Sequence, residues 1–127
     1  MDLIDIILYT LALYVIQLFL QEVSHYGLNL GQILGSRDNP PELNPTAARL
    51  DRARNNMLEA LPIFLGLALS ALVLQGRTGP AVSGATVFLI ARILYVPLYG
   101  FGVPVLRSVA WLTAMGGMLQ MALSLVS

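Results

Sequence analysis

The sequence has no cysteine, a single histidine and few charged residues. Without cysteine the chain cannot form disulfides, thiolate metal sites or a catalytic thiolate, and His25 alone cannot hold a metal, so we expect no metal cofactor. Charged residues make up 11% of the chain and the formal net charge is zero, so we expect no nucleic-acid partner. Any electrostatic function must therefore depend on where the few charges are placed.

Apolar residues dominate the remainder of the chain. They account for 57% of the 127 residues, against roughly 45–50% in ordinary soluble domains. The length fits a single domain, residues 1–127. The N-terminus carries Asp2 and Asp5 instead of basic residues, and no small-residue cleavage pattern follows. We therefore interpret the first apolar run as a retained helix and not as a signal peptide.

Four apolar segments are each long enough to cross the ~30 Å hydrocarbon core of a bilayer at about 1.5 Å of helical rise per residue. They cover approximately residues 3–23, 45–75, 81–101 and 103–126. The first loop between them is rich in Gly, Asn and Pro, and the other two connections are short. Short connections favour antiparallel neighbours. The sequence thus predicts an all-α integral membrane protein, an antiparallel bundle of four transmembrane helices.

Arginines are unevenly distributed between the two ends of this predicted bundle. Arg77 lies at one end, and five arginines lie at the other: Arg37, Arg49, Arg52, Arg54 and Arg107. The positive-inside rule then places the first and third loops in the cytosol and both termini on the far side of the membrane.

Polar residues form one stripe on each of two predicted helices. On the second helix the spacings of three, four and three residues keep the stripe within an arc of about 80°; its members are Arg49, Arg52, Asn56 and Glu59. On the third helix a single face carries Arg92, Tyr95 and Tyr99. The helical rise brings the two stripes to the same level, so we expect them to meet inside the bundle.

Arg92 lies near the middle of its predicted span. An ionisable side chain costs at least ~2.5–3.5 kcal/mol there, so it must face the bundle interior and find a partner. The helical rise places Glu59 about 24 Å and Arg92 about 16 Å above the same end, a gap that an arginine side chain can largely span. We predict a buried ion pair between Glu59 and Arg92, which either only holds the helices together or belongs to a polar site.

The segment from Arg49 to Pro62 resembles the second-helix signature of the MAPEG family, the membrane-associated proteins of eicosanoid and glutathione metabolism. The pattern is arginine, two residues, arginine, three residues, asparagine, two residues, glutamate, and proline three residues later. The loop from Gly35 to Asp38 is similar to that of bacterial members, and the stripe of Arg92, Tyr95 and Tyr99 looks like the family's third helix. The resemblance extends over essentially the whole chain.

This resemblance implies a homotrimer of four-helix protomers in the bacterial inner membrane, with glutathione as co-substrate bound between protomers near the cytosolic face. The glutathione contacts that it implies are Arg52, Asn56, Glu59, Tyr95 and Tyr99. Arg107 lies where several members have the arginine that stabilises the glutathione thiolate, so the resemblance implies this role for it.

The chemistry of glutathione is compatible with these residues. Its two carboxylates suit bidentate binding by Arg37, Arg49 and Arg52, and its ammonium suits Glu59. The chain has no obvious nucleophile, so the substrate would bring its own thiol, and a nearby guanidinium would lower the pKa of that thiol. We therefore predict a glutathione transferase, or a glutathione-dependent peroxidase, that acts on lipophilic small molecules from the membrane lipid.

Two other functions stay open from the sequence. One is a non-catalytic membrane scaffold with the same fold. The other is a small multidrug-type transporter, which also has four short helices and one membrane glutamate. That class would place its acid in the first helix, whereas no charged residue lies between Asp5 and Glu22 in this chain.

Overall fold

The structure, a computed structural model, describes residues 1–26 and 45–126, and describes only the backbone of residues 21–26, 46 and 47. These ranges contain four helices: α1 Leu3–Tyr26, α2 Pro45–Gln75, α3 Ala81–Gly100 and α4 Pro104–Val126. Each helix is long and apolar enough to cross a membrane. The prediction of an all-α membrane bundle with four spanning helices is therefore confirmed.

The two acids at the start of α1 cap the helix. The Asp5 backbone N–H donates to Asp2 Oδ1 at 3.0 Å, and the Asp2 backbone N–H donates to Asp5 Oδ2 at 3.1 Å. This reciprocal arrangement satisfies donors that the first helical turn leaves free. Arg77, in the connection between α2 and α3, binds the same cap, because its Nη2 lies 2.6 Å from Asp2 Oδ2 and its carbonyl accepts from the Leu3 N–H at 2.8 Å.

One glutamine joins three helices at this end of the bundle, which we call the far end. Gln75 is the last residue of α2, and its Oε1 accepts a hydrogen bond from the Ala81 N–H at the start of α3. Its Nε2 donates to the carbonyl of Ser124 on α4 at 3.0 Å. Close packing of α3 on α4 begins nearby, since a Cβ added to Gly117 would lie 2.5 Å from the carbonyl oxygen of Gly84.

A tight corner joins α3 and α4 at the opposite end. Gly102 has a φ of +71°, in the left-handed region that favours glycine. Its N–H donates to the Tyr99 carbonyl and the Val103 N–H donates to the Leu98 carbonyl, which is the Schellman pattern of a helix end. Pro104 then opens α4 at a position where a missing N–H costs nothing. This corner fixes how the last turn of α3 faces the first turn of α4.

The helices pack through apolar side chains and also present apolar side chains outward. Inside, the rings of Phe64 on α2 and Phe88 on α3 stack with their centres 4.4 Å apart. Outside, large hydrophobic residues are exposed on every helix, among them Leu8, Ile16, Ile63, Ile90, Leu112 and Leu119. A helix that is apolar on its outer face as well as its inner face is suited to a lipid surrounding.

Candidate functional site

A cleft lies where the first half of α2, the last turns of α3 and the first turns of α4 meet. Its volume is about 380 Å³. It is lined by Asn56 from α2, Tyr95 from α3, and Arg107, Ser108, Trp111 and Leu112 from α4. We call this end of the bundle the cleft end.

Arg92 lies behind the cleft and is completely buried. Its Nη1 donates a hydrogen bond to Asn56 Oδ1 at 2.8 Å, and its guanidinium carbon lies 4.3 Å from the centre of the Tyr95 ring. Both Asn56 and Tyr95 line the cleft. The buried charge therefore contacts the cleft wall from the interior side.

Tyr99 lies one turn after Tyr95, and the two rings are tilted against each other with centres 5.4 Å apart. Its hydroxyl accepts a hydrogen bond from Arg52 Nε at 3.3 Å. The guanidinium carbon of Arg107 lies 4.7 Å from the centre of the same ring. Tyr99 thus brings an arginine from α2 and an arginine from α4 together at the cleft end.

The predicted ion pair between Glu59 and Arg92 is wrong for the protomer. Among the residues that the structure describes, ion pairs join Arg54 to Asp51 and Arg77 to Asp2, and none joins Glu59 to Arg92. Arg92 bonds to the Asn56 amide instead, and the side chain of Glu59 is exposed on the outer face of α2. The physical reason is rotational: Glu59 follows Asn56 by three residues, which turns it by about 60° around the helix. Asn56 faces α3 and Glu59 does not.

Arg49 and Arg37 are two further predicted glutathione contacts. Arg49 reaches the α3–α4 corner, where a Cβ added to Gly102 would lie 3.0 Å from its guanidinium carbon. Arg37 lies outside the described residues, so its predicted contact stays a prediction. The structure therefore groups Arg52, Asn56, Tyr95, Tyr99 and Arg107 around the cleft, places Arg49 against the neighbouring corner and leaves Glu59 on the outer surface.

Three residues that line the cleft were missed by reasoning from the sequence: Ser108, Trp111 and Leu112. Helical spacing from Arg107 contained the signal, because Ser108 follows it directly and Trp111 lies one turn later on the same face. The missed residues give the cleft a wall of mixed character, with a hydroxyl beside the arginine and two apolar side chains further along α4.

The charge of this region favours an anionic group. Among the described residues that line the cleft or contact its tyrosines are the guanidinium groups of Arg52, Arg92 and Arg107, and no carboxylate. Arg92 is buried and Arg107 is half-buried, which strengthens their interaction with an anion relative to water. The apolar wall of Trp111 and Leu112 borders the same space, so the cleft can accept a ligand with an anionic part and an apolar part.

A comparison with protein families identifies the chain. The model of the MAPEG family matches residues 3–127, essentially the whole chain. The chain belongs to the MAPEG family. The resemblance seen in the polar stripe of α2 is thereby confirmed, and with its four spanning-length helices this MAPEG protein is an integral multi-pass membrane protein. No curated protein and no solved structure matches the sequence.

Proposed function

We propose that this MAPEG protein is a membrane-bound glutathione-dependent enzyme, a glutathione transferase or glutathione peroxidase that acts on lipophilic electrophiles. Family membership supports a glutathione-related activity. The observation that carries the proposal is the gathering of three guanidinium groups on two tyrosine rings at the edge of a cleft, namely Arg52, Arg92 and Arg107 on Tyr95 and Tyr99. Such a cluster suits an anionic tripeptide.

Each part of glutathione has a proposed partner. Arg52 is exposed and would bind a carboxylate bidentately, with Arg37 and Arg49 as the further carboxylate ligands. Asn56 lines the cleft and would hydrogen-bond the peptide backbone. The hydroxyl groups of Tyr95 and Tyr99 would donate to the same backbone.

Arg107 would act on the thiol. A guanidinium close to the sulfur favours the thiolate over the thiol, because it interacts favourably only with the charged form. The thiolate would attack an electrophilic carbon held along Trp111 and Leu112, so that a carbon–sulfur bond forms and the leaving group departs with the bonding electrons. The thiol proton passes to solvent at the cleft mouth. The protein would therefore supply position and charge, and the substrate would supply the nucleophile.

Glu59 supports assembly into a homotrimer. Its carboxylate is exposed on α2, and among the described residues it has no partner. A carboxylate that faces lipid is costly, so a second copy of the chain or the ammonium of a bound ligand must cover it. The outer face of α2 continues with exposed small residues, Gly66 and Ser70, which allow close helix approach. We therefore place glutathione between protomers, with its ammonium on Glu59.

The proposed orientation in a bacterial inner membrane has the first and third loops in the cytosol. The uneven distribution of arginines supports it, because among the described residues Arg77 lies at the far end, whereas Arg49, Arg52, Arg54 and Arg107 lie at the cleft end. Reporter fusions after Ser127 and in the loop at residues 39–42 should report opposite sides of the membrane. Signals from the same side would contradict this topology.

The function itself is tested on the purified full-length protein in lipid nanodiscs. Titration calorimetry with glutathione should show binding, and an activated aryl halide should be conjugated at a rate proportional to protein concentration. Cross-linking in the membrane should give a three-chain species. Failure to bind glutathione would overturn the proposal in favour of a scaffold, and binding without any turnover would overturn its enzymatic part.

A further inference from the structure

Arg92 is an unusual residue because, in the part of the chain that the structure describes, no acid pairs with its buried charge. The side chain is completely buried, and among the described residues its one hydrogen-bond acceptor is Asn56 Oδ1. Its Nε and Nη2 are buried and find no hydrogen-bond partner within residues 1–26 and 45–126. Burying a guanidinium in this way is costly. The position of Arg92 therefore calls for an explanation beyond helix packing.

The contact with Asn56 fixes which way its amide points. An asparagine amide has an oxygen that accepts and an NH2 group that donates, whereas a guanidinium only donates. Arg92 can therefore face only the oxygen of Asn56, because the flipped amide would set donor against donor. With Oδ1 held at 2.8 Å by Arg92, the NH2 group is turned away from it. Asn56 lines the cleft and is half-buried, so that group is available to a ligand there.

Arg92 also contacts a second residue of the cleft wall. Its guanidinium lies over the Tyr95 ring, which also lines the cleft. Since Arg92 has no exposed surface of its own, it cannot touch a ligand in the cleft and must act through these two neighbours. Its charge lies just behind the wall, where low dielectric strengthens its effect on an anion.

We propose that Arg92 is a positioning residue that holds the Asn56 amide with its NH2 group directed into the cleft, so that Asn56 acts there as a hydrogen-bond donor. This inference rests on the proposed function for the identity of the ligand, glutathione, whose carboxylate or peptide oxygen would accept the bond. By fixing the Asn56 amide, Arg92 would make this point of the cleft bind ligand groups that accept hydrogen bonds.

Replacing Asn56 by aspartate separates this role from a purely structural one. Arg92 would hold the aspartate carboxylate at least as firmly as the amide, so the midpoint of thermal unfolding should stay the same or rise. The cleft would lose its donor and gain a negative charge, so the Kd for glutathione should rise at least about 10-fold for Asn56→Asp. An unchanged Kd in a folded Asn56→Asp protein would overturn the proposal.

Two variants of Arg92 test the same idea from the other side. Arg92→Lys loses the stacking on Tyr95 but keeps a charged donor for Asn56 Oδ1, so it should keep the Kd within about threefold of the wild type. Arg92→Met keeps most of the volume and removes the donor, so the Kd should rise at least about 10-fold. Arg54→Met is the matched control, because Arg54 is paired with Asp51 and does not line the cleft. Wild-type affinity in Arg92→Met would overturn the proposal.

A measurement without ligand keeps this inference separate from the proposed function. In asparagine-labelled protein, the side-chain NH2 signals of Asn56 are identified by their disappearance in Asn56→Asp. They should be well separated and protected from exchange in the wild type, and should move towards free-amide values in Arg92→Met and not in Arg92→Lys. Insensitivity to Arg92→Met would overturn the inference. If the wild type bound no glutathione, the proposed function would fail and this signal would still decide the role of Arg92.

Discussion

The guanidinium of Arg107 lies over the ring of Tyr99, with its central carbon 4.7 Å from the ring centre. The two residues come from the first turn of α4 and the last turn of α3, so the tight corner between these helices sets their contact. The Tyr99 hydroxyl also accepts a hydrogen bond from Arg52 on α2. One tyrosine therefore holds arginines from two helices, to which we assign different tasks.

Arg107→Ala should impair chemistry more than binding. If Arg107 stabilises the thiolate, its loss should raise the pKa of the bound glutathione thiol by roughly 1 to 3 and slow conjugation at neutral pH about 10-fold or more. The Kd for glutathione should change little, because other residues hold the carboxylates. Thiolate absorbance titrated against pH, together with turnover, measures both effects. An unchanged thiol pKa with unchanged turnover would remove Arg107 from the mechanism.

Arg52→Ala should do the reverse. It removes a charge-assisted contact with a carboxylate worth roughly 1.5–3 kcal/mol, which corresponds to a Kd about 10- to 100-fold higher. The thiol pKa of the glutathione that still binds should stay near the wild-type value. Arg54→Ala is the control, since it lies two residues away on the same helix and pairs with Asp51. Equal losses of affinity in Arg52→Ala and Arg54→Ala would argue for a general effect of charge.

Gly102→Ala should destabilise the cleft end. A residue with a Cβ costs about 1–2 kcal/mol at a left-handed position such as this one. The added Cβ would also press on the guanidinium of Arg49, which is 3.0 Å from it. Gly116→Ala is the control, because a Cβ there meets nothing within 4 Å and helical alanine is favoured over glycine. Thermal unfolding in detergent should show a lower midpoint for Gly102→Ala and an equal or higher one for Gly116→Ala.

Asp2 should contribute stability that depends on pH. The Asp5 backbone N–H and the Arg77 guanidinium hold the pKa of Asp2 below its ordinary value. A carboxyl whose pKa is lowered by folding stabilises the folded state above its ordinary value of about 3.9, and this contribution disappears as pH falls through the lowered one. Between about pH 6 and pH 3 the unfolding midpoint of the wild type should therefore fall more steeply than that of Asp2→Asn. Parallel curves would show that Asp2 makes no such contribution.

The sequence predicted the helices well because their signals are local. Each apolar run is long enough to span a bilayer, and Gly76, Gly102 and Pro104 mark where helices stop and start. Periodicity also grouped residues that the structure brings together, since the rings of Tyr95 and Tyr99 share one side of α3. Tyr99 meets Arg52 from α2 and Arg107 from α4.

The parts of the site that could not be predicted depend on how the helices are rotated. Helical rise predicted the positions of Glu59 and Arg92 along the bundle axis. It could not predict which side chains of the polar stripe on α2 face α3. In the structure, the side chain of Asn56 faces Arg92 and that of Glu59 faces outward. Trp111 was missed for the same reason: its spacing from Arg107 places it on the same face of α4, but the spacing does not say that this face borders the cleft.

Gln75 links three helices at the far end of the bundle, which has a consequence for how these helices can move. A single side chain bonds the start of α3 and the last turns of α4 to the end of α2, so we expect movement of α2 relative to α3 and α4 to be most restricted there. A change in the tilt of α2 would then be larger towards the cleft end, where a small rotation would change the width of the cleft. The absence of native cysteine makes this measurable with spin labels on introduced pairs. Labels at Asn55 and Val105 should show a broader distance distribution than labels at Leu74 and Val126, and Gln75→Leu should remove the difference.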